Sequence, residues 1–598
     1  MDKQATIGFI LIGLVLILWM WLAAPPPVPQ QQQQQKKIDS TGPVSPQQSQ
    51  ITKLPQEIPV KKANIDTLGK WFSDLPSDKE SLITIETDLY KAVFSSKGAL
   101  LKEWTLKNYK TWNGYPVQLI EYNTGGDLSL LFTTMDGKLL NTRSFSFSIA
   151  GGPRSVTLSD DEEYTFEMVL QLKGGRTISK IFHCKNGLYS FDADFRLNGM
   201  GDVISNFEYQ IVWENGLRLT EGNSVDEANY AASYAFIGGE LVEVNATDFD
   251  KEHKSDLTGS SDWVSMRNKY FALAIIPRSL KGTGSYLYGT RTHEPNNGVK
   301  EKYSIALKLP YRGTTQETVT ITVFLGPLDY NLIKGFGVEL QRIMSFGIEW
   351  LVRPISIYFM LPLFNFLRSF IPNYGLVIIV FTLIIRILLY PLMRTSMKSM
   401  KKMQQLQPLM EEIKTKYKEE PEKMNREVMK LYKDYGVNPA SGCLPLLLQL
   451  PILYALWAVF STAISLRQAS FIWWITDLSI PDVIMTLPFT IPIFGGNHIS
   501  GLALFMGISM FVQQKMTTKD PRQKTMIWLF PIMMTLMFNN LPSGLNLYYS
   551  VFNVTAIIQQ YWTTHKDGEE PLRKVESKKK RGGIFAKLSS NMPSPKSK

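Results

Sequence analysis

Apolar and polar residues follow one another along this chain in three different rhythms. Residues 5–24, ATIGFILIGLVLILWMWLAA, run for twenty positions without a charge, the length of a helix crossing a hydrocarbon core of about 30 Å. Pro25 to Pro27 follow at once, then the glutamine run Gln30 to Gln35 and a Ser/Pro/Gln-rich stretch to about residue 60. That composition makes a linker and buries no core. A cleaved signal peptide would share the small residues Ala23 and Ala24, but its apolar run is shorter, so the segment reads as an uncleaved anchor.

From about 80 to 330 the rhythm is two. Phe166, Met168, Leu170 and Leu172 alternate with Glu167, Val169 and Gln171. Phe191, Ala193, Phe195 and Leu197 alternate with Asp192, Asp194 and Arg196. Between these runs Asn186-Gly187 marks a hairpin. Val319, Ile321, Val323 and Leu325 repeat the pattern near the end. Many short strands with Gly-rich turns predict an all-β sandwich over 61–332, its charges a solvated face.

Past 330 the rhythm becomes helical. Phe336, Leu340, Ile343, Met344, Gly347 and Leu351 share one helical face and predict an amphipathic helix on a membrane surface, with packing on the β domain as the alternative. The stretch 354–371 is interrupted by Pro362, Asn365, Arg368 and Pro372 and reads as interfacial, which makes 333–372 a connection. Five apolar segments follow, roughly 374–393, 441–461, 500–515, 526–541 and 544–562. In 394–440 two amphipathic helices meet at Glu420-Pro421, with Met400, Met403, Leu406, Met410, Ile413 and Tyr417 striping one and Met424, Val428, Leu431, Tyr432 and Tyr435 the other. This is a helical hairpin.

Charge turns the segments into a topology. Residues 394–440 hold eleven bases against seven acids, 515–525 four against one, and the tail 563–598 ten against four. The loops between them carry only Arg467, Asp477 and Asp482. Basic stretches thus alternate with neutral or acidic ones, as the positive-inside rule requires. Six spans result, the anchor being the first, with both termini and the 394–440 hairpin cytoplasmic and the β domain exported between the first and second spans. Counting 354–371 as a span would put the basic loops outside. The 598 residues have a mean hydropathy of -0.07 and a net charge of +11, the average of a polar sandwich and an apolar core at 373–562.

Two cysteines, Cys184 and Cys443, fall on opposite sides of the membrane and exclude a disulfide scaffold. No metal, phosphate-loop, dinucleotide or nucleophile-elbow motif appears, so no catalytic set, metal or cofactor is expected. Nothing points to DNA, although the run Lys578 to Arg581 suits anionic lipid or ribosomal RNA.

One charge is misplaced. Within YGLVIIVFTLIIRILLYPLM, 374–393, stands Arg386, and none of the six spans supplies an Asp or Glu to pair it. Its distance to the cytoplasmic margin at Arg394, roughly 12 Å along the helix axis, strains a snorkelling side chain, and an arginine at that depth costs a few kcal/mol against lipid. It should therefore face water or a ligand. Thr382 lies one turn earlier; Gln449, Ser509, Gln513, Asn546, Tyr549 and Asn553 offer polar faces on other spans, each either lining an amphiphilic cavity or joining helices.

These residues carry a resemblance. FTLIIRILLYPL, KMQQLQP (402–408), YGVNPASGCLPLLLQLPI (435–452), LRQASF (466–471), QQKM (513–516), FPIMMT (530–535) and LPSGLNLYYSVFN (541–553) resemble the YidC membrane-protein insertase family over about 374–562. The anchor and exported domain are similar to its Gram-negative form, which implies a galactose-mutarotase-like super-sandwich; there the match is weaker, mainly VFLGPLDY (323–330). The resemblance implies an inner-membrane insertase and folding helper for nascent membrane proteins, alone or with the Sec translocon; the basic tail adds the ribosome as an expected partner. It aligns Arg386 with the family's groove arginine and, less closely, Thr382 and Gln449 with polar groove positions. It carries over no mutarotase activity, since no acid–base pair can be placed on the few histidines. The rival expectation is a secondary transporter binding an anion or small solute at Arg386. Paired repeats, which that reading predicts, are not found.

Overall fold

A computed structural model describes residues 65–566 apart from 74, 77, 296–297, 349, 438–443, 492–495 and 518–523, together with Lys574. The anchor, the linker, Cys443 and the basic tail after residue 566 (Lys574 aside) lie outside the described residues. The chain forms two compact units, 1–343 and 344–598.

The first unit is β. A five-stranded sheet runs Pro116–Gln118, Leu100–Lys110, Tyr90–Ser95, Leu82–Glu86 and Ser155–Thr157, antiparallel except for its last pair. The principal path of the larger sheet is antiparallel throughout, with Glu163–Gln171, Thr177–Lys185, Ser190–Asn198, Gln316–Pro327, Phe271–Pro277, Glu252–Arg267, Gly282–Glu294, Gly298–Pro310 and Glu208–Trp213 as consecutive neighbours. Period two governs burial here. Phe166, Met168 and Leu170 are buried on one strand, and Phe191, Ala193, Phe195 and Leu197 on another, while Asp192 is exposed. Phe94 of the small sheet meets Phe166, Phe182 and Phe191 of the large one at ring distances of 5.1, 4.7 and 5.6 Å. The predicted hairpin turns at Asn186-Gly187, where Gly187 takes φ 78°, a conformation that an L side chain disfavours.

Lys180 is fully buried among these strands. Its ammonium donates to the carbonyls of Gly98, Ala99 and Leu128 at 2.8, 3.1 and 2.8 Å. Hydrogen bonds to fixed dipoles offset part of the cost of burying that charge. Burial acts on acids as well. It pushes Glu301 up to about 8 against the hydrogen bond from Tyr303 and the Arg291 guanidinium 3.5 Å away. It also pushes Glu227 up to about 7 and Asp127 up to about 6.

An acid that holds its proton more tightly when folded stabilises fully below its unfolded pKa, and that contribution is lost as pH rises through the folded value. Hydrogen-exchange protection of Gly282–Glu294 and Gly298–Pro310 is therefore expected to weaken as pH rises from about 4.3, the unfolded glutamate value, to about 8. Glu301→Gln should flatten that decline. An undiminished slope in this variant would assign the pH effect elsewhere.

The helix expected over 336–351 does not form. Gly337, Glu339 and Gly347 take φ values of 72°, 58° and 86°, which interrupt any α-helix, and only a 3₁₀ turn at Leu340–Ile343 remains. The part of the stripe within the first unit, Phe336, Leu340 and Ile343, packs on the β domain, as the alternative had it. Phe336 packs edge-on to Phe324 at 5.4 Å, and the Val338 and Ile343 carbonyls accept from Trp263 and Arg267 at 2.8 and 2.9 Å.

The second unit is helical. A π-helical turn, Ile355–Met360, leads into α1, Leu361–Phe370. Phe364 of α1 points inward to Phe381 and Phe460, while Tyr358, Phe366 and Phe370 are exposed. α2 spans Tyr374–Gln405, with Asn373 capping its start by accepting from the Leu376 amide at 3.1 Å. Its 32 residues make about 48 Å of helix, longer than a hydrocarbon core of about 30 Å, with the basic residues gathered in its last part, Arg394–Lys402. Met400 and Met403, expected in the hairpin, belong to this helix. α3, Gln407–Lys416, and α4, Pro421–Asp434, form the hairpin, joined by the Tyr432 hydroxyl to the Met410 sulfur at 3.4 Å. Then come α5, Leu444–Thr462, α6, Gly501–Thr517, α7, Lys524–Phe538, and α8, Ser543–Lys566. Among the described residues only α2 is both long and apolar enough to cross a membrane. Ile387, Leu388, Ile508, Trp528, Ile532 and Trp562 are large, apolar and exposed, a surface suited to lipid.

Candidate functional site

Arg386 stands on α2 where that helix packs against α8. Ile378, Phe381, Thr382 and Ile385 are buried around it on the same helix. The guanidinium is enclosed rather than open to water, with the residue 9% exposed. One amino group, Nη2, donates to Oε1 of Gln559 at 2.8 Å, and the guanidinium carbon sits 4.6 Å from the centre of the Phe552 ring. Its Nε has no hydrogen-bond partner among the described residues. No described carboxylate lies within ion-pair distance. The charge is therefore stabilised by an amide dipole and a ring face and is neutralised by neither.

The other expected residues divide into groups. Thr382 is buried directly below Arg386, and its hydroxyl donates to the Ile378 carbonyl at 2.6 Å. Asn553 reaches across to α6, its amide 3.3 Å from the Ser509 hydroxyl and 3.5 Å from the Met506 carbonyl. Asn546 donates toward the Phe538 carbonyl at 3.2 Å and toward Ser500 at 3.5 Å. Tyr549 lies between Phe538 and Tyr548 with ring distances of 5.0 and 5.3 Å. These three side chains join α8 to α6 and α7. Gln513 and Gln449 are half-buried on α6 and α5. Gln559 and Phe552 were not singled out from the sequence. Their spacing of seven residues puts them on one face two turns apart, and a polar residue at that register opposite Arg386 was the available sign.

At the start of α6 a second polar cluster fixes the frame. Asp482, 4% exposed, accepts from the Leu502 amide at 2.8 Å, from the Trp474 indole at 3.1 Å and from the Ser500 hydroxyl. Asn539 bonds the Ser500 amide at 2.9 Å and the His498 carbonyl at 2.7 Å. Asp482→Ala strips the acceptor from three donors at the start of α6. Leaving buried donors unpaired costs about 1–3 kcal/mol each, so this variant should lose most of its folded yield in detergent. Asp482→Asn should retain more, and equal yields would remove this role.

A family model described as "60Kd inner membrane protein" matches residues 366–570, and one described as "YidC periplasmic domain" matches residues 82–358. The membrane protein insertase YidC of Chlorobaculum parvum is 39% identical over 570 residues, covering 94% of each chain. The chain belongs to the YidC insertase family. The YidC of Chloroherpeton thalassium is 38% identical over 595 residues, covering 97% of this chain and 99% of that one. A crystal structure of an active YidC insertase with its first transmembrane domain resolved is similar at 22% identity, over 84% of this chain and 96% of that one, with a TM-score of 0.35. The two YidC models thus meet the two structural units, the β-sandwich and the helical core. The anion or solute transporter finds no support beside them.

Proposed function

We propose that this YidC-family chain inserts nascent membrane proteins through the seam between α2 and α8, with Arg386 receiving acidic groups of the segment to be exported. The observation that carries this reading is the company of Arg386. A guanidinium enclosed against a neutral amide and a ring keeps its full charge for a substrate carboxylate. An acidic group entering the seam takes the place of Gln559 and forms the charge-assisted bidentate pair that Arg386 otherwise lacks. Thr382 lies beneath the arginine, and Gln449, Gln513, Asn546, Tyr549 and Asn553 line or brace the same groove. The apolar part of the substrate then slides sideways into lipid, driven by about 0.8 kcal/mol per buried CH₂. No covalent step or cofactor is involved.

The topology that serves this function has six spans, with both termini and the α3–α4 hairpin in the cytoplasm and the β domain in the periplasm. On that side the hairpin and basic tail are free to meet the ribosome, and the Sec translocon is a partner within the inner membrane. A photocrosslinker at residue 386 tests the reading directly. It should capture stalled nascent membrane chains while the acidic segment is passing, and failure to capture any would overturn the groove assignment.

A further inference from the structure

The segment between α5 and α6 exposes an unusual surface. Ile472, Trp473, Ile480, Ile484, Met485 and Phe489 are exposed by 44, 82, 45, 52, 52 and 58%. In the described part of residues 471–500 the only acids are Asp477 and Asp482, with no Lys or Arg. Both acids are hydrogen-bonded within the protein, Asp482 buried and Asp477 half-buried. Asp477 accepts from the Ser479 amide and hydroxyl at 2.8 and 2.7 Å, and Asp482 caps α6. The exposed large side chains of the segment are therefore all apolar and uncharged.

This surface is rigidly tied to the helix ends. The Ser543 and Gly544 amides donate to the Ile480 and Leu478 carbonyls at 2.8 and 2.9 Å. The strand Val483–Thr486 pairs with His498–Ser500, which leads straight into α6. On α6 the exposed apolar face continues through Leu504, Phe505 and Ile508. Yet within the described residues α6 and α7 run for 17 and 15 residues, about 26 and about 22 Å of helix, against a hydrocarbon core of about 30 Å, and the charges from Lys515 to Lys524 close both apolar runs.

We infer that the 472–489 segment is a lipid-seated plate. Its apolar side chains enter the outer leaflet at the interface and supply the hydrophobic length that α6 and α7 lack. Paired tryptophans, Trp473 stacked on Trp474 at 5.7 Å, suit that depth, where aromatic rings concentrate. The plate holds the outer ends of the short helices at a fixed level, so the bilayer beside the α2–α8 seam adapts to the protein. The inference rests on the proposed topology, which puts this segment on the exported side.

The test uses the full-length protein, with Cys443→Ala and the buried Cys184 retained, carrying an NBD fluorophore on Ile484→Cys or, separately, on Trp473→Cys. In nanodiscs, doxyl-labelled lipids should quench most of the emission and aqueous iodide little. A label on Lys251→Cys of the β domain should show the reverse. Iodide quenching of the plate labels without lipid quenching would overturn the proposal, and so would protection from both, which would mean burial against protein. Impermeant dithionite on sealed right-side-out vesicles reports the side separately. Lipid quenching with reduction only from the cytoplasmic face would overturn the topology and the outer-leaflet seat while leaving lipid contact established.

Discussion

Arg386→Glu is expected to cut insertion of a substrate with an acidic exported tail by about tenfold or more, while a neutral-tailed substrate loses far less. A carboxylate about 4 Å from a guanidinium gains about 4 kcal/mol at an effective dielectric of about 20, and the swapped charge turns attraction into repulsion. Forfeiting even a third of that gain at the rate-limiting point slows the step about tenfold. Arg386→Ala should fall nearly as far on the acidic substrate, since the groove then offers only dipoles. Arg386→Lys keeps the charge but loses the planar fork over Phe552 and the bond geometry to Gln559, so it should lie between. Proteoliposomes of the unaltered protein and the three variants, each fed both newly synthesised substrates with protease protection of the tail as readout, give the eight rates. Equal losses on both substrates would leave Arg386 a packing residue and remove its electrostatic role.

The architecture was legible where one periodicity acts alone. Period two is enforced by a single buried face, so Phe166, Phe191 and their neighbours announced the sandwich strands. The 336–351 stripe misled because apolar spacing reports which residues are buried and says nothing of backbone sign. Gly337 and Gly347 were visible, but Glu339 at φ 58° is a tertiary outcome that no local rule foretells. Arg386 was legible as a charge out of place. Its surroundings were less so, since Asn546, Tyr549 and Asn553 share a helical spacing whether they line a cavity or join helices. The partner on α8 that closes on the guanidinium is a matter of how two helices register, which sequence spacing along either one leaves undetermined.

Gln559→Glu puts the same idea to a harder test, because Arg386 itself stays in place. The substituted carboxylate would sit about where Oε1 now accepts at 2.8 Å, forming a buried ion pair. Such a pair satisfies the guanidinium internally, and breaking it to admit a substrate carboxylate would cost about 3–5 kcal/mol. Insertion of the acidic-tailed substrate should therefore fall at least as far as in Arg386→Ala, although the protein is no less stable and the arginine is intact. Gln559→Leu separates charge from contact, for it removes the acceptor without adding a carboxylate. It should lower folded yield by leaving the guanidinium less satisfied, yet the protein that does fold should keep its preference for acidic tails. The decisive comparison is the double variant. If Gln559→Glu works by occupying Arg386, adding Arg386→Ala to it should produce almost no further loss, a strongly non-additive cycle. Additive losses would mean that the two residues act on insertion independently and that Gln559 does not govern the charge of the seam.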